Sequence, residues 1–509
     1  MIAQTIRRTE IAGMKKNKLS DAAYYGLIIL FALAAVRLHV AAGWTFPIPW
    51  PDEAVFVQQA TAFQQHASLF TPQLNPARDI LWMPPGYMVL LGGWFKITGS
   101  GLFAARSFSL VLTLSIFVLI AFLWKREQSR FFLLTLSGLF FLDRYFIIMG
   151  NVARMEALLL LGIVGALVLF DRGKSITAII LLLLLGLIHP NTVCFVLIGF
   201  FYLFLQVYYF GDELRANRFD RWLLVIAGVL VSAYLFYAAL HWGDFISDMS
   251  YQFARKEKRY LIGSFATWSS RGAVCVLLIT LVHSLMEKNR RLLLLTLFAS
   301  AMWIVNKIGH EIWYQVFDAF AYLLVTIVVI ELMNPARKKV LYAGLFLVAL
   351  FVNTGLGMIE SPKGYPYSMR WIDMRMALDV PYFTASDKQS VAQLLAKHRK
   401  EAEPLHVQFF PTADALFFQD LEDKTIRSVY PSSPESIFPP QRRDIFLLHV
   451  SLYLPRGWRS ESDLRQIVYK AGIDSTNKPF LLFERDSTER WYFWHLEHKD
   501  GTTGSNEPL

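Results

Sequence analysis

The sequence is poor in cysteine and in charge, and each shortage excludes something. Its 509 residues contain two cysteines, Cys194 and Cys275, both inside apolar runs. They provide neither a disulfide framework nor a metal-ligand spacing and are expected in the core. Charged residues make up 18% of the chain against 55% hydrophobic, with a mean hydropathy of +0.38. That balance excludes an ordinary soluble enzyme of this length. No internal repeat is visible, and no low-complexity segment beyond the polar C-terminal end.

What the chain has instead is a series of apolar runs near the length of a membrane span. They fall at about 22–42, 104–124, 131–149, 156–170, 176–189, 191–209, 221–241, 272–286, 292–306, 312–333 and 340–356, which gives about eleven transmembrane helices. Residues 1–20 are polar and basic (Arg7, Arg8, Lys15, Lys16, Lys18), and the first run is longer than a signal-peptide core. An uncleaved first helix with a cytoplasmic N-terminus is therefore expected. Alternate loops are then basic: Lys125, Arg126 and Arg130; Arg172 and Lys174; Arg215, Arg218 and Arg221; Lys288, Arg290 and Arg291; Arg337, Lys338 and Lys339. This alternation is the positive-inside pattern, so the net charge of +10 needs no nucleic acid to explain it.

Two segments outside the spans have their own character. In the outer loop 44–103, Phe56, Ala60, Phe63 and Ala67 recur at helical spacing and predict an amphipathic helix over 52–66 at the membrane surface. A short apolar stretch ending at Phe95 belongs at the same interface. An odd number of spans also leaves residues 357–509 outside. This tail is more polar and predicts a soluble α/β domain, with strands at Leu405–Phe410, Thr425–Tyr430, Asp444–Ser451, Phe480–Phe483 and Trp491–Leu496. Helices are expected at Val391–His398 and Ser462–Ala471. Trp491, Tyr492, Phe493 and Trp494 form either a sugar-stacking platform or, the favoured reading, strand core with one exposed ring.

Polar residues collect on the outer face. Asp52 and Glu53 follow the first span, Arg106 opens the second, and Asn151, Arg154 and Glu156 join the third to the fourth. His189 caps the fifth, and Lys307, His310 and Tyr314 crowd the turn between the ninth and tenth. A charge at bilayer depth costs roughly 2.5–3.5 kcal/mol, so such groups face a cavity or a partner. Singly, each has a plain alternative. Pro51, Asp52 and Glu53 are also how an ordinary helix begins, with acids in its positive first turn. The outer loop 242–270 breaks the charge rule with Arg255, Lys256, Lys258 and Arg259. Either Asp244, Asp248 and Glu257 dilute that excess, or the cluster grips an anionic headgroup such as a lipid-linked phosphate.

The order of these residues carries a resemblance. An Asp52-Glu53 pair after the first span precedes Pro84-Pro85-Gly86-Tyr87, Ala104-Ala105-Arg106 and Arg154-Met155-Glu156. This order resembles the GT-C superfamily of integral-membrane glycosyltransferases, which includes protein O-mannosyltransferases and lipid A aminoarabinose transferases. The resemblance covers residues 20–170, is topological to about 356, and does not extend to the tail.

The resemblance implies inverting transfer of a sugar from a polyprenyl-phosphate donor to a hydroxyl on a lipid, glycan or protein. The setting would be the outer face of a cell's inner (plasma) membrane. Asp52 would be the base that takes the acceptor's proton. Glu53 and Glu156 would position the acceptor, or carboxylates of this set, Asp52 and Glu156 first, would share a divalent cation such as Mg or Mn. Arg154, Lys307, His310 or the 255–259 cluster would meet the phosphate. Arg106 and His189 would be further substrate-binding residues, and Tyr87 and Tyr314 would serve as hydrogen-bonding groups or, the favoured reading, pack. Met83 and Gly86 depart from the pattern, where relatives carry a basic or polar residue and a leucine. Asn306-Lys307-Ile308-Gly309-His310 matches the corresponding motif only loosely. The rival readings are a transporter or flippase for lipid-linked sugars, which paired repeats would mark, and a non-catalytic assembly factor for envelope glycans.

Overall fold

The computed structural model describes most of residues 21–331 and part of 385–496; the segments 1–20, 40–50, 256–267, 310–314, 332–384, 430–442, 452–479 and 497–509, with shorter breaks, lie outside the described residues. The first helix, α1, covers 21–37, and thirteen more follow among the described residues of the apolar part. They are α2 (Pro51–His66), α3 (Gly86–Thr98), α4 (Leu102–Trp124), α5 (Arg130–Phe141), α6 (Arg144–Gly150), α7 (Glu156–Asp171) and α8 (Ser175–Leu185). Then come α9 (Thr192–Tyr208), α10 (Arg218–Leu240), α11 (Trp242–Arg255), α12 (Trp268–Met286), α13 (Arg290–Gly309) and α14 (Gln315–Glu331).

Each expected apolar run up to 333 falls on a helix, and the run 340–356 lies outside the described residues. The run 131–149 differs: it is split between α5 and α6 near Leu142. Among the described helices, α4 and α10 are long and apolar enough to cross a membrane. The two sit differently. The apolar stretch of α4 is 56% buried and that of α10 only 11%. Trp222, Val229 and Phe236 of α10 therefore face outward, which hydrocarbon tolerates and water penalises. Asn217 and Asp220 close a capping box at the start of α10, each side chain accepting the other's backbone N–H at 2.9 Å. Such a cap satisfies helix-end donors that would otherwise be orphaned.

Two sequence expectations are corrected. The helix over 52–66 forms, but it does not lie on the surface with one face exposed. Ala54, Val55, Phe56, Val57, Gln59 and Ala60 are all buried, because α3 packs across α2. Gly92 allows that approach, since a Cβ there would stand 2.8 Å from the Ala60 carbonyl oxygen. Cys275 is exposed on α12 and is not a core residue, whereas Cys194 is partly buried and packs against the core. By contrast α3 has the one-sided burial expected of an interfacial helix, with Tyr87, Met88, Leu91 and Phe95 inside and Ile97 outside.

The tail contains a five-stranded sheet in the order β2-β1-β3-β5-β4. Its strands are β1 (Leu405–Phe410), β2 (Ile426–Val429), β3 (Ile445–Ser451), β4 (Phe480–Arg485) and β5 (Glu489–His495). Strands β2, β1 and β3 run parallel, and β5 is antiparallel to β3 and β4. Helix α15 (Ala385–His398) lays Val391, Leu394 and Leu395 into a core with Val407, Ile445 and Trp491. Trp491 and Trp494 are buried, so the aromatic run is chiefly strand core. The expected helix at Ser462–Ala471 lies outside the described residues.

Candidate active site

The site is built where the start of α2 meets α4 and the link between α6 and α7. Asp52 and Glu53 occupy the first turn of α2, where free backbone N–H groups favour carboxylates. Successive helical residues point about 100° apart, and the two acids accordingly take different partners.

Glu53 turns inward and is fully buried. Its Oε1 accepts the Arg106 Nε–H at 3.1 Å, and its Oε2 accepts Nη2–H at 2.8 Å. Oε1 also accepts the Ala153 backbone N–H at 2.6 Å. Arg106 is itself fully buried in the second turn of α4. One carboxylate therefore ties together α2, α4 and the 151–155 link.

Asp52 keeps 22% of its side chain exposed and accepts a hydrogen bond from Arg154 Nη1. The same guanidinium reaches Glu156, the first residue of α7, through Nε at 3.2 Å and Nη2 at 2.9 Å. Its carbon lies 5.9 Å from the centre of the Phe56 ring, and Trp82 stacks on that ring at 5.5 Å with planes 10° apart. Three carboxylates and two guanidiniums thus converge, for a formal charge of minus one when all are ionised.

His189 is buried, within electrostatic reach of Glu156. Its Nδ1 accepts the Asn191 backbone N–H at 3.0 Å, which leaves the ring hydrogen on Nε2. The turn that carries it is pinned to the start of α3 by Gly86 N–H donating to the Leu187 carbonyl at 2.8 Å. A Cβ at position 86 would stand 2.6 Å from that oxygen, so the close approach requires the glycine found there. Tyr87 is fully buried, edge-on to Phe56 at 5.7 Å, and burial pushes its phenol well above the ordinary tyrosine range.

Asp52, Glu53, Tyr87, Arg106, Arg154, Glu156 and His189 are therefore brought into one region, with Arg106 facing Glu53. Lys307 lies in α13 and Arg255 ends α11. Lys256, Lys258, Arg259, His310 and Tyr314 lie outside the described residues. Sequence reasoning missed His39, which is buried with Nδ1 2.6 Å from Asn151 Oδ1. A histidine near the end of the first apolar run was the signal, because ionisable groups inside spans are rare and are kept for a reason. It also missed the Trp82–Phe56 stack, for which contact order along the chain gives no signal.

The donor set does not fit a cation as placed. The Arg154 guanidinium stands between Asp52 and Glu156, where a shared ion would sit, and no group of three or more His, Cys, Asp or Glu among the described residues could hold one.

The fold around this site is shared with solved structures of low sequence identity. The structure matches ArnT from Cupriavidus metallidurans bound to undecaprenyl phosphate, with a TM-score of 0.57 at 11% identity, over 92% of this chain and 98% of that one. It matches ArnT from the same organism in the apo state with a TM-score of 0.54 at 12% identity over the same shares. At these identities the likeness is one of fold. A weaker likeness, with a TM-score of 0.44 at 10% identity over 92% of this chain and 74% of that one, is to the archaeal oligosaccharyltransferase AglB from Archaeoglobus fulgidus, in complex with an inhibitory peptide and a dolichol-phosphate. No protein-family model and no curated protein sequence matches the chain.

Proposed function

We propose that this chain transfers a sugar from a polyprenyl-phosphate donor to a hydroxyl acceptor at the extracytoplasmic face, with inversion at the anomeric carbon. The observation that carries the reading is Asp52: a partly exposed carboxylate held by a buried Arg154–Glu156 pair on a GT-C fold. In the reaction, Asp52 accepts the acceptor's hydroxyl proton as its oxygen bonds to the anomeric carbon. The bond from that carbon to the phosphate oxygen breaks, and polyprenyl phosphate leaves with the electron pair. General-base assistance of this kind contributes roughly 10²–10⁴-fold.

An apolar cavity of about 1220 Å³ suits the prenyl chain. Gly86 and Ile188 line it near the site, and it continues along α4 from Val111 to Leu119. That is about 12 Å at the helical rise. Arg106 precedes Val111 by little more than a turn of the same helix, so the cavity begins just inside the acid centre. ArnT is known bound to undecaprenyl phosphate, which supports the same donor class here.

The acid centre alone would repel a phosphate. Arg154 offsets part of its charge, and Lys307, His310 and the Arg255–Arg259 cluster are proposed to supply the rest. Glu53 and Arg106 are read as a clamp that holds the start of α2 in place for Asp52. A divalent cation would have to displace Arg154 from Asp52 and Glu156.

The division into a cytoplasmic segment 1–20, a membrane part 21–356 and an extracytoplasmic domain 357–509 belongs to this proposal, as does residence in the inner membrane. The test is lipid and glycan profiling of cells lacking the protein. One sugar should be missing from an envelope product while its polyprenyl-phosphate form accumulates; an unchanged profile counts against transfer.

A further inference from the structure

We propose that His39 is a positioning residue for the acid centre: its Nδ1–H bond to Asn151 sets the main-chain path that delivers Arg154 to Asp52 and Glu156. The inference rests on the transfer reaction proposed above and adds to it a residue from the first membrane segment.

Asn151 through Met155 form the whole link between α6 and α7. The link is anchored at two points by side chains from elsewhere. Glu53 accepts the Ala153 N–H at 2.6 Å, and His39 Nδ1 meets Asn151 Oδ1 at 2.6 Å. A carbonyl oxygen only accepts, so Nδ1 carries the hydrogen. Asn151 Nδ2 is buried and makes no hydrogen bond among the described residues; the grip on this side chain therefore comes from His39.

A second observation concerns Gly150. A Cβ there would run into the His39 ring and stand 3.3 Å from Thr113 Oγ1. The glycine lets the imidazole lie against the backbone just before Asn151. Four residues after Gly150 the chain must place Arg154 so that one guanidinium serves both Asp52 and Glu156. Losing the first anchor frees the link to shift, and a displacement near 1 Å at a reacting centre costs about 10²-fold in rate.

The test uses the full-length protein in lipid vesicles, with His39→Asn, His39→Gln and His39→Ala. An asparagine amide nitrogen can occupy the place of Nδ1, whereas the glutamine amide reaches toward Nε2. The expected result is a loss of about 10²-fold in kcat for Gln and Ala, recovery of most of it in Asn, and an unchanged KM for the lipid donor. A packing role predicts the reverse order, because glutamine fills more of the space; Gln equal to or better than Asn overturns the proposal. Should the wild type show no transfer, the reaction itself has failed. The positioning claim is then read from a thermal double-mutant cycle between His39→Gln and Arg154→Gln. Coupling supports it and additivity overturns it.

Discussion

Glu53 and Arg106 meet through two hydrogen bonds of 3.1 and 2.8 Å, and neither side chain is exposed at all. One of two adjacent acids is thereby committed to joining α2 to α4. Removing one partner leaves a buried charge without its counterpart, which costs about 3–5 kcal/mol. Glu53→Ala and Arg106→Ala should each sharply lower the unfolding temperature of the detergent-solubilised protein, and the double variant should lose less than the sum. Additive losses would mean that the pair does not act as a clamp.

Arg154 is asked to serve two carboxylates at once, which a planar guanidinium does and a point-charged ammonium does not. Arg154→Lys should therefore reduce kcat by at least about tenfold, or ~1.4 kcal/mol of transition-state stabilisation. Stability should change little, because Lys keeps the charge. Steady-state transfer kinetics beside a thermal melt checks both halves of the expectation.

Val118 lines the apolar cavity on α4. Val118→Trp should occupy the space assigned to the prenyl chain and raise KM for a long-chain donor about tenfold or more. A short-chain donor analogue should be nearly unaffected. Equal effects on both donors would mean that the cavity holds something other than the prenyl chain.

Because Arg154 fills the gap between Asp52 and Glu156, transfer should survive prolonged treatment with a chelator. A loss that Mg or Mn restores would put a cation at those two acids and require Arg154 to move on substrate binding.

The described helices up to residue 331 were legible because long apolar runs leave a strong signal, and the sheet because its strands alternate with turn residues. The helix over 52–66 was legible as a helix but not in its burial: its own spacing cannot show that α3 lies across it at Gly92. At the site, Asp52, Arg154 and Glu156 stand out in the sequence as charges beside apolar runs, and the structure brings them together. Which charge serves which was not, since the pairing of Glu53 with Arg106 depends on a rotation of about 100° between neighbouring helical residues. Gly86 looked like a departure from the family pattern, and the 2.6 Å approach to the Leu187 oxygen gives its reason. His39, a lone histidine at the end of an apolar run, has no partner visible in sequence; Asn151 lies 112 residues away.

The central claim is that Asp52 is the base. Asp52→Asn keeps the size of the side chain and an oxygen for Arg154, so the protein should fold and reach the membrane at the normal level. With a polyprenyl-phosphate sugar and a hydroxyl acceptor, the variant should transfer about 10²–10⁴-fold more slowly than the wild type, with donor binding retained. Transfer at the wild-type rate by a normally expressed Asp52→Asn protein would contradict the account.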